Sequence, residues 1–374
     1  MNKETKILPA LIEPKLSDRS SPGHAVWLRL SAFLSLKSPN TQRTYLGIVN
    51  EWCEFLGAKP GTEDAATKIL AATDLHAIAY KNWLEDRPGE NPRLKRSELN
   101  SNVKAIQKHG SGPKLKAKRQ GLESTLSNAT IYKKLVALRR MYRMLIGANI
   151  GINANPFDAD KIPPPAKDAG RKRPTEMIDF ELVNEIINLP DISTQKGLRD
   201  RALLSVLFGG GLRRSEVINI RIGDVKSTAS GTTFLHLRST KAKKDADQAM
   251  PPWAGKAVSE LKTARIKAGA SDGDYLFISY RGRNAAKATP YPISDNGLYR
   301  LFKKYCLLAG AGLNVTPHSA RATSITKLLS DGITHRLVQE FSRHASIQMV
   351  ELYDKRRMGV EENPGRTLDF GFKK

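Results

Sequence analysis

Cysteine is nearly missing from this chain. Only Cys53 and Cys306 occur among 374 residues, each within an apolar helical pattern and neither near a metal-spaced histidine. That argues against a disulfide scaffold or a thiolate metal site, and both residues read as small buried hydrophobes in a reduced compartment. Long apolar runs are missing too, so no stretch spans a bilayer, and the opening Met1-Asn2-Lys3-Glu4-Thr5-Lys6 lacks the core of a signal peptide. The expectation is a soluble, cytoplasmic protein with no membrane partner. Neither an ATP-binding motif nor a carboxylate cluster suited to hard cations is visible, so neither cofactor nor metal is expected.

Acid is the third shortage. Against 61 Lys and Arg stand 37 Asp and Glu, a formal net charge of +24. Such an excess concentrates polyanions around the molecule and speeds their association. Nucleic acid is the expected partner; a ribosomal or merely very soluble basic protein is the plainer alternative. Hydrophobic residues make up 40% of the chain, enough for packed cores in two domains of ordinary size.

Residues 1–19 are polar and interrupted by proline, a flexible lead-in. The first clear helix is predicted after Ser38-Pro39, with Asn40 or Thr41 as its cap. Tyr45, Ile48, Val49, Trp52, Phe55 and Leu56 then follow the spacing of one buried face. A second helix is predicted over about 75–84. A third begins near Asn128, with Ile131, Leu135, Leu138, Tyr142 and Leu145 on its inner stripe. Lys133, Lys134, Arg139, Arg140 and Arg143 occupy its other faces, where they can meet phosphates. Residues 20–160 thus read as an all-helical domain. Within it, residues 87–120 carry ten Lys and Arg and two Asp and Glu, a net of +8. This basic insertion is either a solvated, flexible segment or an arm that orders around DNA.

Residues 161–174, rich in proline and then basic, read as a linker. The second domain, 175–357, is predicted to be mainly helical with a small antiparallel sheet. Helices are expected over 180–189 and 198–208, then near 254–268, 294–309, 318–330, 334–342 and 346–353. A strand over 233–238 and a return strand ending at Met250 form the sheet. Residues 358–374 are a tail in which Leu368, Phe370 and Phe372 alternate, either docking on a neighbour or unstructured.

Chemistry concentrates in this second domain. Gly209-Gly210-Gly211 permits a tight turn that sets Arg213 at a helix start, where a guanidinium can grip phosphate oxygens in bidentate fashion. Glu216, one turn on, can hold Arg213 or Arg214 in place. His318 and Arg321, three apart after Thr316-Pro317, share a helix face. His344 precedes a short helix with Tyr353 at its far end. Lys241, with Lys243 and Lys244 as competitors, lies between the predicted strands. Singly, each is an ordinary surface or core residue.

Together, in this order, these motifs resemble the catalytic domain of the tyrosine recombinases, the phage-integrase family. Gly211-Leu212-Arg213-Arg214-Ser215-Glu216 is similar to its first arginine box and Thr316-Pro317-His318-Ser319-Ala320-Arg321 to its His-x-x-Arg box. Arg343-His344-Ala345-Ser346, followed by Tyr353, is similar to its second histidine and nucleophile. The chain departs from the family at Arg343, where glycine is commonest, and at Ala322, where histidine is frequent. Asn40-Thr41-Gln42-Arg43-Thr44-Tyr45 and Asn128-Ala129-Thr130-Ile131 are similar to the family's helical core-binding (SAM-like) domain. Thr41, Arg43, Lys133, Lys134, Arg139, Arg140 and Arg143 are its candidate DNA contacts.

The resemblance implies that Tyr353 attacks a DNA phosphodiester while Arg213 and Arg321 clamp its oxygens. His318 would accept the phenolic proton, Lys241 would protonate the leaving 5′ oxygen, and His344 would hydrogen-bond the phosphate. It further implies double-stranded DNA as partner and a homotetramer on two DNA sites, nucleoid-associated when bound. The sequence specifies neither the target site nor any accessory DNA-bending protein. A type IB-like topoisomerase shares the nucleophile and clamp, and a non-catalytic DNA-binding protein would share the charge. The helical clamp domain and second histidine box favour the recombinase.

Overall fold

The computed structural model describes residues 22–87, 126–148, 150–166, 175–238, 245–281, 287–312 and 314–354. The lead-in through residue 21, nearly all of the basic insertion, Lys241 with its competitors, and the tail lie outside these. The described residues divide into two compact units, one of residues 22–87 and 126–166 and one of 175–354. Both are mainly helical.

The first unit comprises α1 (Pro22–Ser35), α2 (Pro39–Phe55), α3 (Glu63–Ala71), α4 (Asp74–Asp86) and α5 (Asn128–Ile146). Helix α2 starts earlier than expected: Ser38, not Asn40 or Thr41, is its N-cap and Pro39 its first residue, where a proline loses no needed donor. The predicted stripe of α5 is the buried one, with Ile131, Leu135, Leu138, Tyr142 and Leu145 all inside. Helices α1 and α3 were not anticipated. α1 is apolar around most of its circumference and α3 is a nine-residue, alanine-containing segment, so neither shows a sharp stripe.

Trp52 centres this core. Its ring meets Tyr80 and Phe157 edge-on, each with centroids 5.0 Å apart, and its Nε1 donates to the Tyr142 hydroxyl at 3.0 Å. That hydroxyl in turn donates to the Ile69 carbonyl at 3.0 Å, so a single oxygen ties α2, α3 and α5 together. Nearby, Glu51 accepts from Tyr80 and from Lys134 at 2.6 Å and from Arg87 at 2.7 Å. Burial alone would raise this carboxyl; the hydrogen bonds from Lys134, Tyr80 and Arg87 outweigh it and hold the group below the usual carboxylate range.

The second unit runs α6 (Phe180–Asn188), α7 (Gln195–Gly209), α8 (Arg214–Ile218), β1 (Val225–Ser227), β2 (Thr233–Leu237), β3 (Ala246–Ala249) and α9 (Pro252–Lys267). It continues with β4 (Ile278–Arg281), β5 (Lys287–Pro292), α10 (Asp295–Leu308), α11 (Pro317–Ser330), α12 (His335–Ser342) and α13 (Gln348–Glu351). Strands β1, β2 and β3 form one antiparallel sheet in that order, and β4 pairs with β5 in a second. The second sheet escaped sequence reading because β5, Lys-Ala-Thr-Pro-Tyr-Pro, contains two prolines, which suit only an edge strand.

Helix α7 lies at the centre, packed against α9 and α11 and buried along most of its length. Beside the main core, Ala322, Ile325, Leu329, Val338, Val350 and Tyr353 form a satellite cluster under α11, α12 and α13. Both cysteines are free and buried, and burial pushes each thiol up to about 12. Among the described residues, no helix is long and apolar enough to cross a membrane.

Tyr142→Phe strands the buried Trp52 Nε1 donor and takes the hydroxyl from the Ile69 carbonyl, which keeps only the long bond from the Ala72 N–H. The expected loss is about 1–3 kcal/mol, read from the urea midpoint of the first unit's unfolding with the slope unchanged.

Candidate active site

Arg213 is placed by the break that ends α7. Gly211 turns the chain at φ 55°, a left-handed conformation, and a Cβ there would stand 2.8 Å from the Phe341 ring. The turn therefore admits glycine for two separate reasons. Two residues later Arg213 caps α8, and Glu216 bonds back to it twice. Glu216 Oε2 accepts from the Arg213 backbone N–H and Oε1 from its Nη1, each at 2.8 Å. Arg213 Nη2 also donates to the Arg343 carbonyl at 3.1 Å.

Arg321 is an interior cation. It is 0% exposed on α11, whose flanks face both the main core and the satellite cluster. A desolvated charge needs partners; here Nη1 donates to the Gly211 carbonyl at 2.6 Å and Nη2 to the Ser342 carbonyl. Burial, followed by the nearby Arg213 and Arg343, lowers the guanidinium to about 9, which leaves it charged at neutral pH. Arg321 thus links the end of α7 to the end of α12.

At that second end the chain makes an unusual turn. Arg343 adopts φ 53° and ψ 42°, the one non-glycine with positive φ among the described residues. A left-handed residue at a helix end is ordinarily glycine, and a side chain there costs about 1–2 kcal/mol. The Arg343 guanidinium turns inward, donating from Nη2 to Glu216 Oε2 at 2.9 Å and from Nη1 to the Gln248 side chain on β3. Glu216 consequently serves Arg213 and Arg343 together. Burial would raise its carboxyl; Arg343 and Arg213 outweigh that and keep it ionised, below its ordinary value.

His344 follows, its Nδ1 3.1 Å from Ser342 Oγ and its ring parallel to that of Tyr353, with centroids 5.9 Å apart. Burial, then Arg321 and Arg213, lowers His344 to about 4. His318, an exposed residue between buried Pro317 and Ser319 in the first turn of α11, is lowered as well, first by desolvation and then by Arg321 and Arg213. Both imidazoles are neutral at pH 7. Tyr353 is only 6% exposed. Burial raises its phenol above the ordinary value, while Arg321, a hydrogen bond from Thr175 and Arg213 pull the other way without prevailing. One locus therefore holds a phenol, two neutral imidazoles and three guanidiniums.

A profile of the phage integrase family matches residues 176–359. The tyrosine recombinase XerC of Bacillus subtilis (strain 168) is 30% identical over 241 residues, covering 63% of this chain and 72% of that protein. The chain belongs to this family, the tyrosine recombinases. XerC of Bacillus pumilus (strain SAFR-032) is 28% identical over 242 residues, again 63% and 72% of the two chains. The crystal structure of the XerH site-specific recombinase bound to palindromic difH substrate, a post-cleavage complex, has a TM-score of 0.54 at 18% identity. The match covers 91% of this chain and 94% of that one, and it establishes likeness of fold. The chain is accordingly a tyrosine-type site-specific recombinase, an enzyme of DNA strand breakage and rejoining.

Of the recombinase residues expected from sequence, Arg213, His318, Arg321, His344 and Tyr353 are gathered in the second unit. Lys241 lies outside the described residues. The helix expected over 346–353 is only Gln348–Glu351, with Tyr353 in the turn beyond it. In the first unit, Arg43, Lys133, Arg140 and Arg143 are exposed and Thr41 is half-buried. Lys134 and Arg139 are turned inward. Lys134 is held by Glu51, and Arg139 donates to the carbonyls of Phe157 and Ile162. Sequence reading missed Gln248, Ser342 and Thr175 as parts of the site. A polar residue on the inward phase of a short strand was the one available signal, and it pointed to Gln248. Among the described residues, no group of His, Cys, Asp and Glu is arranged to hold a metal ion.

Gly211→Ala would force both a left-handed alanine and a shift of Phe341, while disturbing the carbonyl that Arg321 uses. The second unit should lose about 1–3 kcal/mol, measured from its guanidinium chloride midpoint.

Proposed function

We propose that this recombinase cuts and rejoins double-stranded DNA through a covalent 3′-phosphotyrosine, with Tyr353 as nucleophile. One observation carries the reading: Arg213, His318, Arg321, His344 and Tyr353, up to 353 − 213 = 140 residues apart, converge in one unit. In the reaction the Tyr353 phenolic oxygen forms a bond to phosphorus as the bond to the 5′ oxygen breaks. The phenolic proton passes to His318, which is neutral and can accept it. The leaving 5′ oxygen takes a proton from an acid, for which Lys241 is the candidate.

Arg213 and Arg321 hold the non-bridging oxygens, whose negative charge grows in the transition state. His344 donates a hydrogen bond to the same group. Arg321 is covered by its own chain, so the phosphate reaches it only after neighbouring side chains part. The Arg213 and Arg321 guanidiniums supply the charge stabilisation that a divalent cation gives other nucleases. The ester conserves the energy of the broken bond, so resealing by an incoming 5′ hydroxyl requires no ATP. We further propose that the first unit, within residues 20–160, clamps the duplex through Thr41, Arg43, Lys133, Arg140 and Arg143, joined by the 161–174 linker to the catalytic domain of residues 175–357. Four protomers would act on two DNA sites in the cytoplasm.

A duplex nicked beside the cut site traps the intermediate. Wild-type protein is expected to give an SDS-resistant adduct and Tyr353→Phe none; an adduct from the Phe variant would overturn the assignment. Arg213→Ala should keep duplex affinity while cleaving about 10²–10³-fold more slowly; equal loss of both would make it a binding residue.

The lowered His318 sets the pH dependence. Protonated, it cannot accept the phenolic proton, so cleavage at sub-saturating DNA should fall toward acid with a midpoint below 6.5. This limb should vanish in His318→Ala, with duplex binding followed at each pH as the control. A midpoint above 6.5 would exclude His318 as the acceptor.

A further inference from the structure

Arg343 is the feature of the second unit that the five described catalytic candidates do not explain. Three observations set it apart. Its backbone sits in the left-handed region, where glycine is at ease, so the side chain is kept against a local conformational cost. Its guanidinium nevertheless turns inward and is largely buried, instead of reaching water. And both of its ends are anchored, one to Glu216 and the other to Gln248, itself only 6% exposed on β3. A third cation beside Arg213 and Arg321 adds repulsion to the centre, and it lowers Arg321 further. Neither backbone comfort nor electrostatic economy accounts for an arginine here.

The contacts of Glu216 do account for it. Oε1 of that carboxylate takes the Arg213 side chain, while Oε2 takes both the Arg213 backbone N–H and Arg343 Nη2. With Arg343 in place the carboxylate plane is fixed from two sides, and Arg213 can meet it in one orientation. The Arg343 carbonyl, presented by the same left-handed turn, accepts from Arg213 Nη2. One residue therefore orients Arg213 twice, by its side chain through Glu216 and by its backbone directly. Gln248 closes the brace by holding the guanidinium to the three-stranded sheet.

We propose that Arg343 is a positioning residue for strand cleavage, acting through Glu216 to set Arg213 on the scissile phosphate from a strained backbone. This rests on Arg213 being a phosphate clamp. Arg343→Gly removes the guanidinium and the backbone strain together, so loss of function and loss of stability are expected to separate. In the full-length protein its melting temperature should be no lower than wild type and its duplex affinity within about threefold. Single-turnover cleavage of the nicked substrate should be slower by about tenfold or more. Arg343→Lys keeps the charge and the backbone strain but lacks the planar fork that bridges two acceptors, so its cleavage should be slowed as in the glycine variant. Because Arg343 acts through Glu216, adding Arg343→Gly to Glu216→Gln should slow cleavage little beyond Glu216→Gln alone.

Wild-type cleavage by Arg343→Gly or Arg343→Lys would overturn the proposal, as would a fall in melting temperature that parallels lost activity. Multiplicative effects in the double variant would overturn the route through Glu216. Arg213→Ala, run alongside, keeps the two readings apart: wild-type cleavage by that variant removes the phosphate clamp and this proposal with it. Slowed cleavage there with an unimpaired Arg343→Gly removes the proposal alone.

Discussion

Glu216 holds the catalytic unit's centre together. Arg213, Arg321 and Arg343 bring three positive charges into a space largely closed to water, where their mutual repulsion is poorly screened. Two kinds of acceptor make this tolerable. The Glu216 carboxylate serves Arg213 and Arg343, and the carbonyls of Gly211 and Ser342 serve Arg321. Those carbonyls exist where they do because two helices end in left-handed turns, α7 at Gly211 and α12 at Arg343. Electrostatics and backbone geometry are therefore one constraint: a change in either turn moves an acceptor away from a buried cation.

How much of this was legible in the sequence depended on what carries the signal. Helix α5 announced itself because its apolar residues recur on one face while lysines and arginines fill the others. α1 did not, since a helix apolar around most of its girth lacks the contrast that periodicity detects. The first sheet was visible through the alternation of β2, whereas three-residue β1 and the proline-bearing β5 look like loops. In the site, the candidate side chains were singled out by the likeness of their motifs and order to a known family. The carbonyls of Gly211 and Ser342 could not be, because every residue has a carbonyl and only the fold selects two of them. Arg343 was visible only as a departure from glycine; what its guanidinium does depends on Glu216, 127 positions away, and on Gln248, 95 away.

Net charge pointed to a polyanionic partner but did not distinguish cations with intramolecular partners from those left exposed. Lys134 and Arg139 sit on α5 among other basic residues and look equivalent to them in the sequence. In the fold Lys134 is bound to Glu51 and Arg139 reaches back to the carbonyls of Phe157 and Ile162, closing the segment that follows α5 onto the helix. Both hold the first unit together. The exposed Lys133, Arg140 and Arg143, on the same helix, are the ones left facing solvent. A helix five turns long can thus divide its cations between structure and surface, and the division follows from which neighbours supply acceptors.

The surroundings of Tyr353 carry the last step. Its ring belongs to an apolar cluster and lies parallel to His344, so burial keeps the phenol protonated despite two arginines nearby. A free phenolate in a cell would be a hazard to any electrophile, and a desolvated neutral phenol is inert. Bound phosphate alone makes ionisation harder still, since it adds negative charge. In the proposed reaction, proton removal and bond formation to phosphorus would therefore proceed together, with a neutral imidazole to take the proton and guanidiniums to absorb the growing charge. In that proposed reaction the lowered His318 and the charged Arg213 and Arg321 meet those two needs for Tyr353. Under that proposal, safety and catalysis are the same arrangement, seen without and with a correctly placed phosphodiester.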